Sequence, residues 1–336
     1  MSVDMETDRL SHPRKFARRS LLASLAIPFL ASANQSHAAA TPESARPTWR
    51  QGVALPAPNS EFAAAVIGQS IFVAGGFGMA TGLFRFDAGA PAWLECASLP
   101  QPRHHAGLAA MGGFIYLAGG HDHDSRAVDT FWRYDPEADA WQILPSLPQG
   151  PRGALGLAAL GGRIYAVGGS SGDLSGPATA DCACFDPDSN EWSMRDPMPT
   201  RREHLAIGVA RGMLVAIGGR NGSDVDASMA GATEVFDPAN GTWTKRSALP
   251  VPRSGMGVAS TGDAVIVLGG EGEDGVYDDV NRYDPHTNTW DALAPLPSGR
   301  HGVASAYVGG FLYTIGGSAL AWQIENIADV DIMDLT

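Results

Sequence analysis

Lysine is nearly missing from this chain. Only Lys15 and Lys245 represent it among 23 basic residues, which face 36 acidic ones in a total of 336. Setting aside the first forty residues (five basic, three acidic) leaves 18 basic and 33 acidic side chains, a net charge near −15. A surface of that sign repels the phosphates of nucleic acid and of anionic lipid, so neither is expected as a partner. Cysteine is scarce as well. The three thiols, Cys96, Cys182 and Cys184, are an odd number, which argues against a disulfide framework, and the last two are too close along one extended segment to bridge easily. Buried free thiols are expected. Long apolar runs are absent: residues 21–33 supply about thirteen apolar positions where a membrane-spanning helix needs roughly twenty, so no membrane insertion is expected. Phosphate loops, dinucleotide fingerprints and serine-hydrolase elbows are also missing, and no cofactor is called for.

What is present begins with an export signal. A basic stretch ending in Arg18 and Arg19 runs into the apolar segment, and Ser36-His37-Ala38 supplies small residues for a peptidase. The run Ala17-Arg18-Arg19-Ser20-Leu21-Leu22 resembles a twin-arginine signal, with Sec export the alternative. The expected organisation is a signal over 1–38, a short linker over 39–48 and one domain over 49–336, placed in the periplasm or outside the cell.

Glycine is abundant, with 41 residues, and six diglycines recur at regular intervals. Gly75-Gly76, Gly119-Gly120, Gly168-Gly169, Gly218-Gly219, Gly269-Gly270 and Gly316-Gly317 are 44, 49, 50, 51 and 47 residues apart. That period belongs to propellers or solenoids. Strand-like runs such as Phe114-Ile115-Tyr116-Leu117 precede them. Downstream, an aromatic-Asp pair stands six residues before a Trp, and a Leu-Pro or Met-Pro pair begins six residues after it. Asp87, Asp135, Asp186, Asp237 and Asp284 precede Trp93, Trp141, Trp192, Trp243 and Trp290 in this way. The Asp opens a tight turn by accepting local backbone hydrogen bonds, and the Trp starts an outer strand.

The sixth repeat ends before its Trp strand, whereas Trp49 near the start stands six residues before Leu55-Pro56 with no turn Asp ahead of it. The two termini therefore complete one another. The expected fold is all-β: six blades of four antiparallel strands, with the Trp49 region as the outer strand of the last blade, closing the ring and removing exposed edges. The diglycine, the aromatic before the turn and the spaced Trp resemble the kelch-repeat family over the whole of residues 49–336. The resemblance implies a propeller, and the family includes enzymes, adaptors and structural proteins. Blade one departs from the motif, since Phe86-Asp87-Ala88-Gly89 lacks the turn Pro.

Sixteen residues before each first Gly stand Asn59, Arg103, Arg152, Arg202, Arg253 and Arg300. The loop entering the innermost strand and the loop leaving the second strand must open on one face, so these positions and the segments after each diglycine share a mouth. In kelch-like adaptors that face receives the partner. Six histidines, His104, His105, His121, His123, His204 and His301, fall in the same segments, with Glu203, Arg220, Asn221, Glu271, Glu273 and Asp274. Polar residues on loops held by a rigid scaffold form binding sites. The candidate ligand-binding set is Arg103, His104, His105, His121, His123, Arg152, Arg202, Arg253 and Arg300; the competing reading makes the repeated Arg structural, bonding backbone carbonyls.

Metal chemistry enters through His121-Asp122-His123-Asp124 with His104 and His105 nearby, a donor set suited to zinc or copper. Ligand count without fixed spacing assigns no metal. Glu271-Gly272-Glu273-Asp274 lacks the oxygen spacing of a calcium loop. The radical copper oxidases of kelch fold carry a Tyr-His dipeptide that this chain does not have. Bacterial periplasmic N-acetylneuraminate mutarotases are also kelch propellers, and that resemblance implies an acid and base flanking an anomeric carbon. Glu203, His204, His301 and Arg220 are the candidates for it. The leading expectation is a monomeric, non-catalytic recognition module for a protein or glycan, with an acidic-sugar mutarotase as the alternative.

Overall fold

The computed structural model describes residues 48–222 and 230–336; the expected export signal and residues 39–47 of the expected linker lie outside the described residues. Among the described residues there is no helix. Strands form six four-stranded antiparallel sheets and one two-stranded hairpin. Blade two shows the plan: Gly107–Met111, Phe114–Ala118, Phe131–Asp135 and Ala140–Leu144 follow one another from the innermost to the outermost position. The second strands, such as Phe114–Ala118 and Arg163–Val167, are buried almost throughout, which explains their continuous apolar character. The outermost strands carry exposed faces.

Blade six is completed as expected. Trp49–Gln51 pairs antiparallel with Val330–Asp334, with Trp49 opposite Met333 and Gln51 opposite Asp331. Between blades lie six apolar layers. Phe131, Leu147, Leu155, Phe185 and Trp192 fill the space between blades two and three, while Leu55, Phe86, Trp93, Tyr313 and Ile332 fill that between blades six and one.

Two repeated hydrogen bonds stitch the blades into a circle. Each repeat Trp donates its indole N–H to a carbonyl of the preceding blade's outer segment: Trp93 to Val53, Trp141 to Ala97, Trp192 to Pro145, Trp243 to Asp196 and Trp290 to Ser247. Trp49 closes the series on Ala294 at 3.1 Å. The second Gly of each pair donates its N–H to the carbonyl of the next blade's Arg position, from Gly76 to Arg103 round to Gly317 on Asn59. The approach is close enough that a Cβ on Gly119 would lie 2.3 Å from the Arg152 carbonyl oxygen, so glycine is needed for contact as well as for its positive φ. Cys182 and Cys184 are buried free thiols in the third strand of blade three, and burial pushes the Cys182 thiol up to about 12.

Candidate functional site

Every innermost strand is entered through the same local structure. Glu61, His105, Ala154, His204, Gly255 and Gly302 lie two residues beyond the Arg or Asn position, all with φ between 50° and 62°. The N–H of each donates to the carbonyl of its counterpart in the preceding blade, and Glu61 donates to Gly302, so six hydrogen bonds form an unbroken collar around the axis. Left-handed backbone is costly for His and Glu; the collar bonds hold it there. One residue earlier, His104 bridges to His121, Glu203 to Arg220, Ser254 to Glu271 and His301 to Ser318. The two sets of segments thus share one face. Glu61, His105 and His204 stand at the collar end of a central cavity of about 360 Å³ whose wall is otherwise built mostly from small and apolar residues of the innermost strands.

A polar well lies at this collar. Arg220 Nε donates to Glu203 Oε1 at 2.6 Å and Nη1 to Glu271 Oε1 at 3.0 Å. Glu203 also contacts His204 Nδ1. His105 Nε2 lies 3.1 Å from Glu61, and His301 Nε2 lies 3.5 Å from both Glu61 and Glu271. Burial, reinforced by the charge of Glu271, pushes the Glu61 carboxyl up to about 8. Burial also holds His104 down to about 4 and His105 well below the usual histidine range. Burial works against the Arg220 cation too, but Glu203 and Glu271 more than offset it, so it stays charged. Over the well lies Trp322, its ring 5.0 Å from the Arg220 guanidinium carbon and its backbone N–H donating to Glu271 Oε2. Phe77 packs on His104 with ring centroids 4.4 Å apart.

The four candidates Glu203, His204, Arg220 and His301 are therefore brought together. The arginine set is not part of the mouth. Arg103, Arg152, Arg202, Arg253 and Arg300 are all buried inside their blades, which corrects their assignment as ligand-binding. Four of them donate to the carbonyl of the first Gly sixteen residues on, as Arg253 does to Gly269 at 2.7 Å. Asn59 does the same for Gly75 at 2.7 Å, so blade one keeps the function with a shorter side chain. Arg103 instead bonds Pro102, Gln101 and Thr130 and lies over Trp132. Third-strand residues complete several of these: Glu234 for Arg202, Asn281 for Arg253 and Asp331 for Arg300. His123 also leaves the candidate set, because its ring points to solvent and pairs only with Asp124 at 3.3 Å. His121 is wholly buried, and His104 and His105 are nearly so. Glu273 and Asp274 lie exposed at a hairpin tip.

Three contributors escaped the sequence reading. Glu61 stands at the repeat position of His105 and His204, a signal hidden because blade one has Asn in place of Arg. Trp322 is one of two tryptophans outside the sixfold Trp register, the other being Trp132. Phe77 follows its diglycine directly, the position that His121 and Arg220 occupy in other blades.

The chain matches the KLHDC2/KLHL20/DRC7 Kelch-repeats domain over residues 34–219 and again over residues 154–336. It belongs to the kelch-repeat family. Kelch-like protein terF of Aspergillus terreus is 29% identical over 164 residues, covering 44% of this chain and 35% of that protein. Kelch-like protein 35 of Mus musculus is 29% identical over 143 residues, 43% of this chain and 23% of that one. Kelch-like ECH-associated protein 1A of Danio rerio is 34% identical over 86 residues, 26% of this chain and 14% of the relative. The kelch chain thus spans about a third or less of these relatives' lengths. A solved structure, that of YjhT, shares the fold with a TM-score of 0.70 at 19% identity, covering 84% of this chain and 95% of that one.

Proposed function

We propose that this kelch propeller is an exported recognition module that docks a protein partner on the collar face. The observation that carries the reading is the loop following the last diglycine, where Leu320, Trp322 and Ile324 are 43%, 44% and 62% exposed. Large apolar side chains grouped beside a polar centre are the composition of an interface hot spot. Leu174, on the corresponding loop of blade three, is exposed on the same face. Trp322 is held in place by Arg220 and Glu271, so little ordering entropy remains to be lost when a partner packs on it. A protein partner is favoured over a glycan by the aliphatic members of this group, Leu320 and Ile324. Affinity capture from an envelope extract tests the reading. A defined partner is expected with the wild type and with Ile143→Ser on the outer rim, and none with the pair Trp322→Ala and Ile324→Ser at unchanged melting temperature. Capture that survives the pair and fails with Ile143→Ser would refute it, and loss of capture on glycosidase treatment would reassign the partner as a glycan.

A second reading, a mutarotase for an acidic sugar, is favoured by Glu61 lying between His105 and His301 at 3.1 and 3.5 Å, an acid and bases within proton-transfer reach. Arg220 is the matching cation. It ranks second because Glu203, Glu271 and Arg220 already satisfy one another. NMR exchange between the anomers of N-acetylneuraminate decides it: acceleration by the wild type that disappears in Glu61→Gln would establish the mutarotase.

A further inference from the structure

We propose that His104, His105 and His121 form a binding site for a divalent transition ion of the zinc class, at the blade-two corner of the collar face. One ring nitrogen from each of the three lies within 4.8 Å of the other two. His104 Nδ1 and His105 Nδ1 face each other at 2.6 Å. Nitrogen ligands of a tetrahedral zinc ion, each at about 2.0–2.1 Å from the metal, stand roughly 3.4 Å apart. Binding an ion between them requires the two nitrogens to separate by about 0.8 Å.

The second, independent observation is His121. Its side chain is wholly buried, yet neither Nδ1 nor Nε2 makes a hydrogen bond of good geometry, the Asp173 backbone offering the ring only a loose contact. A neutral imidazole carries one N–H and one lone pair, so two polar atoms go unmet where buried polar atoms are normally paired. The ring is accommodated by blade three: a Cβ on Gly153 would lie 2.0 Å from it. Only glycine there makes room for an unpartnered imidazole, which points to a ligand for that imidazole.

The surroundings suit a cation of this class. Glu61 takes the Nε2 side of His105 at 3.1 Å, which turns Nδ1 toward His104; an outer carboxyl group on the far ring nitrogen is the relation that fixes a metal-ligating histidine's tautomer and orientation. Three imidazoles are borderline-soft donors, suited to zinc or copper and poor for calcium or magnesium. Phe77 covers the His104 ring and shields it from water. A rival grouping, Glu61, His105 and His204, has comparable spacing. It is disfavoured because Glu203 already engages His204 and because Arg220 Nη2 lies 3.4 Å from His204 Nε2, where it repels a metal.

The test uses the full mature chain stripped with chelator, titrated with zinc sulfate by calorimetry and with cobalt(II) by visible absorption. One equivalent of zinc is expected for the wild type and for the exposed control His123→Ala. At least tenfold weaker binding is expected for His121→Ala and His104→Ala, with loss of the cobalt spectrum. X-ray absorption on the zinc-loaded wild type should report three imidazole ligands, a readout that does not depend on either variant folding. Absence of zinc binding, fewer than three imidazoles, or binding that survives His121→Ala and is lost in His204→Ala would each overturn the proposal. The outcome is separate from partner recognition, which rests on the loop carrying Trp322.

Discussion

Arginines at one repeat position are not equivalent, and the differences make a test. Arg202 donates to Gly218, Ala232 and Ala216 carbonyls and pairs with Glu234, with both side chains wholly buried. Removing it strands a buried carboxylate and several carbonyls, so Arg202→Met should cost about 3–5 kcal/mol in denaturant unfolding. Arg152 makes one bond, to Gly168 at 3.1 Å, while its Nε and Nη2 have no partner. Arg152→Met, which removes buried unmet donors together with that bond, should cost less than about 1.5 kcal/mol. The sixteen-residue spacing was legible in the sequence, but spacing identifies a repeat position without showing whether the side chain points inward. Glu61 provides the pH signature. Its pKa rises from 4.5 to about 8 on folding, so the folded protein keeps a proton that the unfolded chain has shed. Its contribution is complete below pH 4.5 and is lost as the pH rises through 8. Glu61→Gln cannot lose that proton, so its melting temperature should match the wild type near pH 5 and exceed it increasingly toward pH 9.

At the scale of strands, the segment Trp49–Gln51 does more than its three residues suggest. It covers the edge of Val330–Asp334 and supplies the last of the interblade indole bonds. A chain beginning at Val53 should melt earlier and less cooperatively, and should self-associate through the uncovered edge in size-exclusion chromatography. Trp49→Phe removes the indole bond together with part of the ring's packing against the layer between blades five and six, and should cost about 1–2 kcal/mol. These elements were readable because each depends on local chemistry repeated at fixed spacing: a turn Asp such as Asp135 accepting from Glu137, glycine where backbones touch, and Trp at the rim. Blade one shows the limit. Without the turn Pro its outer strand shrinks to Leu94–Glu95, yet Trp93 keeps both its position and its bond to Val53. The hairpin Glu271–Gly272 with Gly275–Val276 inserted in blade five has no counterpart among the described residues of the other blades and left no repeated signal to read.

Over the whole molecule, the rings of bonds at the Trp rim, the diglycines and the collar leave one face on which the repeats diverge. There Glu61, His105, His204 and Arg220 meet around the axis, and the loop with Trp322 rises beside them. The face itself followed from the strand count, whereas the side chains that meet on it come from different blades and their contacts are set only by ring closure. Site-specific cross-linking tests the central claim directly, with a photoreactive residue placed at Trp322 on the collar face or at Ile143 on the outer rim of the protein. The account predicts a discrete adduct with one partner from position 322 and none from position 143; an adduct from 143 with none from 322 would contradict it.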